Sequence, residues 1–267
     1  MDETSPAAAS VPPAAAVPAE LPGVGEVLSA GTTVTLDNAG VIIGIWAACH
    51  LPAQVLGFVV GMTTGLADKE AIKNAITNHD IGAIAALAAV GLLGLVLGML
   101  GYATTILLAA RAFRGQAIAL GDLLVDGVGR MISVVFASLL VGVCIGFGTL
   151  LLIIPGLYLL FRLSMTVCAT CAEGLDPLTA FRRSWSLTGG RFWDIASVLG
   201  ALFVVGIGAA VALLAAGVVL RIVGSVAGAA GAGLAALVIN LFQFVVSAWG
   251  TACMTKFYLE LADRSPL

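Results

Sequence analysis

IGAIAALAAVGLLGLVLGMLGYATTILLAA, from Ile81 to Ala110, is a run of thirty residues without a single charge. A helix rises 1.5 Å per residue, so about 20 apolar residues are enough to cross a hydrocarbon core of about 30 Å. Between Ala85 and Met99 the run is apolar on every side. A barrel strand would instead alternate apolar and polar residues over about 10 positions. Inside hydrocarbon each backbone N–H and C=O has to bond within its own segment, so this stretch reads as a membrane-spanning helix.

Five further runs have the same character: Gly40–Met62, Met131–Ile154, Leu157–Ala172, Ile195–Leu220 and Ala227–Met254. Leu157–Ala172 is the short one, and it carries an arginine, Arg162. Mean hydropathy is +1.11 and charged residues are 10% of the chain, against about 25% in a soluble domain. The fold class that follows is all-α: a polytopic membrane protein with six transmembrane helices and short amphipathic interfacial helices. Residues 23–264 form the membrane domain. Residues 1–22, with Pro6, Pro12, Pro13, Pro18 and Pro22 among alanines, lack apolar periodicity and are expected to be a disordered cytoplasmic tail. The first forty residues, with Asp2, Glu3, Glu20, Glu26 and Asp37 and no Lys or Arg, lack the basic start and short apolar core expected of a secretory signal. The connections are too short to hold a separate soluble catalytic domain.

Orientation comes from the short loops. Arg111, Arg114, Arg130, Arg182, Arg183, Arg191, Lys256 and Arg264 fall on one side, and Lys69, Lys73 and Arg221 on the other. Basic residues stay inside, so the first set is expected in the cytoplasm. With six spans, both termini then lie there as well.

Three segments preceding spans open with Gly or Pro beside an acidic residue: Gly25–Asn38, Gly121–Arg130 and Asp176–Arg191. Each is expected to be a separate surface helix, together making three loosely repeated units. In the third, Asp176 suits the cap and Pro177 the first helical position. Leu178, Phe181 and Trp185 share one face while Arg182, Arg183 and Ser186 share another, the pattern of a helix lying in the interface with Trp185 and Trp193 at headgroup level. A partly helical outer loop is expected over Thr63–Asp80. The connection Ile154-Pro155-Gly156 is expected to be the reversal between spans three and four, Pro155 stopping one helix and Gly156 permitting the turn.

Arg162 is the sharpest candidate for function. It reads either as a site for a lipid phosphate or anionic substrate, or as a brace to the neutral partners Asn240 and Gln243 of span six; the brace is the expectation. Arg182, Arg183 and Trp185 are candidate headgroup contacts. His50, Pro52 and Gln54 form a polar, kinked patch in span one, and a proton-coupled role would want a carboxylate there that no span supplies. Cys168-Ala-Thr-Cys171 has the spacing of a redox pair, but zinc would need further ligands and the only histidines are His50 and His79. Buried packing thiols are expected instead. The spacings Gly57–Gly61, Gly94–Gly98, Gly142–Gly146 and Gly224–Gly228 suit close helix contact. No catalytic residue, metal ligand or cofactor site is expected.

Leu152-Ile153-Ile154-Pro155-Gly156-Leu157-Tyr158, Arg162-Leu163, Glu173-Gly174 and Ala180-Phe181-Arg182-Arg183-Ser184-Trp185-Ser186-Leu187-Thr188-Gly189, with the opening Val24-Gly25-Glu26-Val27-Leu28-Ser29, resemble a bacterial pattern. It is that of the membrane domain attached to some glycerophosphoryl diester phosphodiesterases, and of related six-span proteins of unknown role. The likeness covers about residues 23–260 and is most specific over Leu152–Gly189. It implies six helices with interfacial pieces in a bacterial inner membrane. It does not bring the phosphodiesterase reaction, which belongs to a separate barrel domain of about 250 residues. The functional expectation is a non-enzymatic inner-membrane protein, a lipid-organising or partner-scaffolding subunit. Its partners would be membrane lipids and a membrane protein, with no nucleic acid. The alternative is a small transporter or permease subunit with a polar path near Arg162, Asn240 and His50.

Overall fold

The computed structural model describes residues 21–64, 73, 77, 78, 80–226 and 228–265; the side chains of 64, 220–226, 228–230 and 232 lie outside that description. The expected tail, the outer-loop helix, His79 and the Gly224–Gly228 pair fall wholly or largely on residues it does not describe. The described residues are helical with no strand. In chain order the helices are α1 (Val24–Asp37), α2 (Ala39–Cys49), α3 (Leu51–Thr64), α4 (Ile81–Phe113), α5 (Leu120–Leu151), α6 (Ile153–Leu163), α7 (Thr166–Ala172), α8 (Pro177–Leu187), α9 (Phe192–Val226) and α10 (Gly228–Asp263). Six helical stretches are long and apolar enough to cross a membrane: α2 with α3, α4, α5, α6 with α7, α9 and α10. This is the all-α, six-span fold class read from the sequence.

Local chemistry explains the breaks. His50 separates α2 from α3, and Pro52 sits in the first turn of α3, where its missing N–H leaves no intrahelical bond unmade. Asn38 ends α1 by folding its amide back onto the Val34 carbonyl at 2.9 Å. Asp176 caps α8, accepting from the Thr179 N–H at 3.1 Å, and Pro177 occupies the first helical position as expected. Gly190, at φ 73°, takes a left-handed turn between α8 and α9 that a side chain would disfavour.

Two expectations about helix boundaries need correction. Gly121–Arg130 is not a separate surface helix but the first turns of α5, which runs unbroken from Leu120 to Leu151. It lacks the stop that Asn38 and Gly190 supply elsewhere, and its glycines weaken a helix without ending it. The reversal between spans three and four also lies earlier than Ile154-Pro155-Gly156. Leu152 alone is extended (φ −162°, ψ 147°), and Pro155 and Gly156 belong to α6. Pro155 is tolerated because N–H groups of a first turn have no intrahelical acceptor. Gly156 serves close approach: a Cβ there would lie 2.7 Å from the Thr149 Cα, and one on Gly148 would lie 3.0 Å from the Gly156 Cα. The hairpin thus closes glycine against glycine.

The expected glycine pairs behave unequally. A Cβ on Gly57 would lie 3.3 Å from Val90 Cγ1 and one on Gly94 3.8 Å from Ala53 Cβ, so these glycines seat α3 on α4. A Cβ on Gly142 or Gly146 would meet nothing within 4 Å.

Packing is uneven along the long helices. On α4 the buried residues are Ala83, Gly101 and the run Ala103–Ala110. On α10 burial concentrates from Ala248 to Leu261. That end also holds Arg111, Arg183, Lys256 and Arg264, and is here termed the basic end. There α1, α7 and α8 add a layer over α4, α5 and α10, enclosing a core that includes Val27, Met165, Ala180, Phe257, Tyr258 and Leu261. The cysteines Cys49, Cys168, Cys171 and Cys253 are buried and unpaired, packing as small apolar side chains. At the other end Leu150, Leu151, Leu152, Ile153 and Ile154 are all exposed at the hairpin tip.

Candidate functional site

Arg162 lies near the end of α6 and meets α8. Its guanidinium stacks on the Trp185 ring, 4.2 Å from the centroid, with Tyr158 5.8 Å away. Nη1 donates to the Thr188 hydroxyl at 3.3 Å. The Arg162 carbonyl, left over near a helix end, accepts from Ser184 Oγ at 2.8 Å and from Thr188 Oγ1 at 3.2 Å. Arg162 therefore ties α6 to α8. The expected partners are elsewhere: the Asn240 amide donates to the Ala236 carbonyl at 2.8 Å on its own helix, and Gln243 faces a groove described below. The structure does not bring Arg162, Asn240 and His50 together into one path.

Arg183 corrects the expected faces of α8. It is 7% exposed, whereas Arg182 and Ser186 are exposed. Ala180, Arg183, Ser184 and Leu187 form the inward stripe of α8, at the i, i+3, i+4, i+7 spacing of one helix face. From there Arg183 donates to the carbonyls of Ser265 (2.5 Å) and Ala262 (3.5 Å), satisfying the C-terminal end of α10. Its Nε stands 3.6 Å from Glu173 Oε2, and the other Glu173 oxygen accepts from the Tyr258 hydroxyl. Arg183 is thus committed inside the protein and is no headgroup contact. The apolar stripe holds better: Leu178 (53%) and Trp185 (39%) face outward, and the Phe181 and Trp185 rings stack.

The remaining arginines sort by partner. Arg111 pairs with Asp126, and Lys256 and Arg264 flank Glu260. Arg114 donates to the Ala172 carbonyl at 3.3 Å, closing α7. Arg182 and Arg191 have no carboxylate within ion-pair distance among the described residues. Arg191 also keeps a buried Nη1 without an acceptor. Arg182 lies midway along α8 and Arg191 immediately before α9, with Trp193 79% exposed beside Arg191.

A second polar region lies within the spans, and the sequence reading registered only two of its members, His50 and Gln243. A groove of about 350 Å³ runs between α4 and α9, floored by α10 and closed by Cys168 of α7. Its polar side chains are Tyr102, Gln243, Ser247 and Thr251. Thr251 donates to the Ser247 carbonyl at 2.8 Å. The side chains of Tyr102, Gln243 and Ser247 have no hydrogen-bond partner among the described residues. A smaller cavity of about 100 Å³ shares Tyr102, Ser247 and Thr251 and adds His50, whose ring packs on Phe244 at 4.8 Å. The signal for this cluster was weak, because isolated polar residues on three separate apolar runs meet only after the helices pack. Among the described residues no group of His, Cys, Asp and Glu could hold a metal ion.

No protein-family model matches the chain, and neither a curated protein nor a solved structure is found to be similar to it. What is established is the class: a helical protein with six helices long and apolar enough to span a membrane.

Proposed function

We propose that the protein is a non-enzymatic integral membrane protein of the bacterial inner membrane that binds and organises anionic phospholipid at its basic end. In this reading both termini are cytoplasmic, α8 lies in the inner interface, and the chain is a relative of the glycerophosphodiester phosphodiesterase membrane domain without its catalytic barrel. The observation that carries the lipid role is the α8–α9 junction. Among the described residues Arg182 and Arg191 have no carboxylate partner, while Trp185 and Trp193 present exposed rings beside them. Tryptophan favours the headgroup level, and each basic residue there attracts anionic lipid by about 1 kcal/mol.

The test is the lipid retained on the purified full chain. Replacing Arg182 and Arg191 by Gln should cut phosphatidylglycerol retention, by about fivefold for each charge removed, with neutral phospholipid unchanged. Retention that ignores both changes would reject the role. Orientation is checked separately: a cysteine at Thr77 should label from outside and one at the exposed Ser186 should not, and the reverse pattern would invert the topology.

A further inference from the structure

We propose that the groove between α4, α9 and α10 is a binding site for an uncharged amphiphile, a membrane lipid whose head carries hydroxyl and ester groups and no phosphate. Tyr102 precedes Arg111 by nine residues, Ser247 precedes Lys256 by nine, and Gly206 follows Asp194 by twelve. At 1.5 Å per residue these put Tyr102, Ser247 and Gly206 about 14–18 Å from the nearest charge on each helix, close to half a hydrocarbon core of about 30 Å, while Met254, at the basic end of the lining, stands two residues from Lys256. Hydrocarbon offers no hydrogen bonds, so a polar side chain at that depth needs a partner from the protein, from water or from a ligand. Tyr102, Gln243 and Ser247 have none from the protein among the described residues.

The glycines show that the space is part of the design of the helices. Gly217 faces Ile239 across the α9–α10 contact, where an added Cβ would lie 3.6 Å from Ile239 Cδ1. Gly206 and Gly250 line the groove instead, and a Cβ on either would meet nothing within 4 Å. They hollow the surface without bringing backbones together.

The lining selects the ligand. The walls are apolar, with Leu202, Leu213, Val246 and Met254, and no charged residue lines the site. A phosphate there would be desolvated without a counter-charge. Hydroxyl and ester oxygens match the floor: the Gln243 amide has two donors and an acceptor, and Tyr102 and Ser247 each offer a donor and an acceptor. Gln243 and Ser247 are exposed, so the groove opens sideways and acyl chains can remain among the surrounding lipid. A volume of about 350 Å³ suits the head and the start of its chains.

The test uses the full chain in detergent, titrated with dioleoylglycerol or dioleoylphosphatidylglycerol and read by native mass spectrometry. Dioleoylglycerol should bind the wild type. Gly206→Leu fills open space, so it should fold normally and weaken that binding by at least about tenfold. Gln243→Leu with Ser247→Ala, which removes the polar floor without adding bulk, should weaken it by about threefold to tenfold per hydrogen bond lost. Asn240→Ala, on the same helix outside the groove, should change nothing. Absence of a dioleoylglycerol complex with the wild type, as for a groove holding only water, would overturn the proposal. So would a complex insensitive to Gly206→Leu and to the double variant, or a phosphatidylglycerol complex lost in parallel with it. Replacing Arg182 and Arg191 should leave dioleoylglycerol bound, so the two lipid roles fail independently.

Discussion

Helix α4 passes through two environments within one unbroken element. From Ala103 to Ala110 every side chain is buried, whereas from Ile81 to Leu100 only Ala83 is. Helix α10 repeats the contrast, with a buried second half and an exposed first half in which Ala235 is the buried residue among those described. On α4 composition does not distinguish the halves, since both are apolar, whereas the buried half of α10 also carries Lys256, Glu260 and Asp263. The difference lies in neighbours: α1, α7 and α8 add a layer only at the basic end. There the helices bury side chains against protein, and elsewhere their apolar surface is left for lipid. Helix association in lipid gains little from the hydrophobic effect and rests on packing and hydrogen bonds, so the basic end should hold most of the fold's specific stability.

The largest test of that contrast pairs two phenylalanines on α10. Phe257 is 1% exposed and Phe242 53%. Phe257→Ala should cost about 3–5 kcal/mol, and Phe242→Ala no more than about 0.5 kcal/mol, measured by reversible unfolding in mixed micelles. Similar losses at both sites would mean that the ends are equally packed.

Next comes the hairpin tip, where the apolar end has its own tight contact. Gly156→Ala should destabilise by about 1–3 kcal/mol by forcing a Cβ against the Thr149 backbone. Gly142→Ala, facing open space on the same hairpin, should be neutral or slightly stabilising. A neutral Gly156→Ala would show that α5 and α6 separate freely in lipid.

Arg162→Gln should lower stability by about 1–2 kcal/mol, through loss of the stack on Trp185 and a charged hydrogen bond. Retained lipid should not change. Unaltered stability with loss of a specific phospholipid would turn this brace into a ligand site.

The smallest effect is expected at the start of α8. Hydrogen bonds from the Thr179 side chain and then its backbone hold the Asp176 carboxyl below its ordinary value. A depressed folded-state pKa gives stabilisation that is complete above the unfolded value of about 3.9 and is lost as pH falls through the lower folded one. The protection factors of the Thr179 and Ala180 amides, referred to the intrinsic exchange rate at each pH, should therefore fall below about pH 4. Asp176→Ala should show that lower protection at neutral pH and lose its acid dependence. Wild-type protection unchanged down to strong acid would mean the cap contributes nothing.

Six spans, the kink at His50, the Asp176–Pro177 start of α8 and the unpaired thiols were legible because each depends on a few adjacent residues. An apolar segment partitions by the sum of its own transfer free energies, and a cap bonds within three positions. The boundary at Leu152 was less legible, because Pro155 signals a helix edge without saying on which side of it the edge falls. Arg183 was misread because its neighbour Arg182 shares its chemistry and differs by only 100° around the helix. Tertiary structure alone decided that Arg183 closes α10, that Arg162 stacks on Trp185 and leaves Asn240 aside, and that Tyr102, Gln243 and Ser247 share one groove. Those outcomes depend on which helix faces meet, and Tyr102 on α4 becomes a neighbour of Gln243 and Ser247 on α10 only after more than a hundred intervening residues have packed.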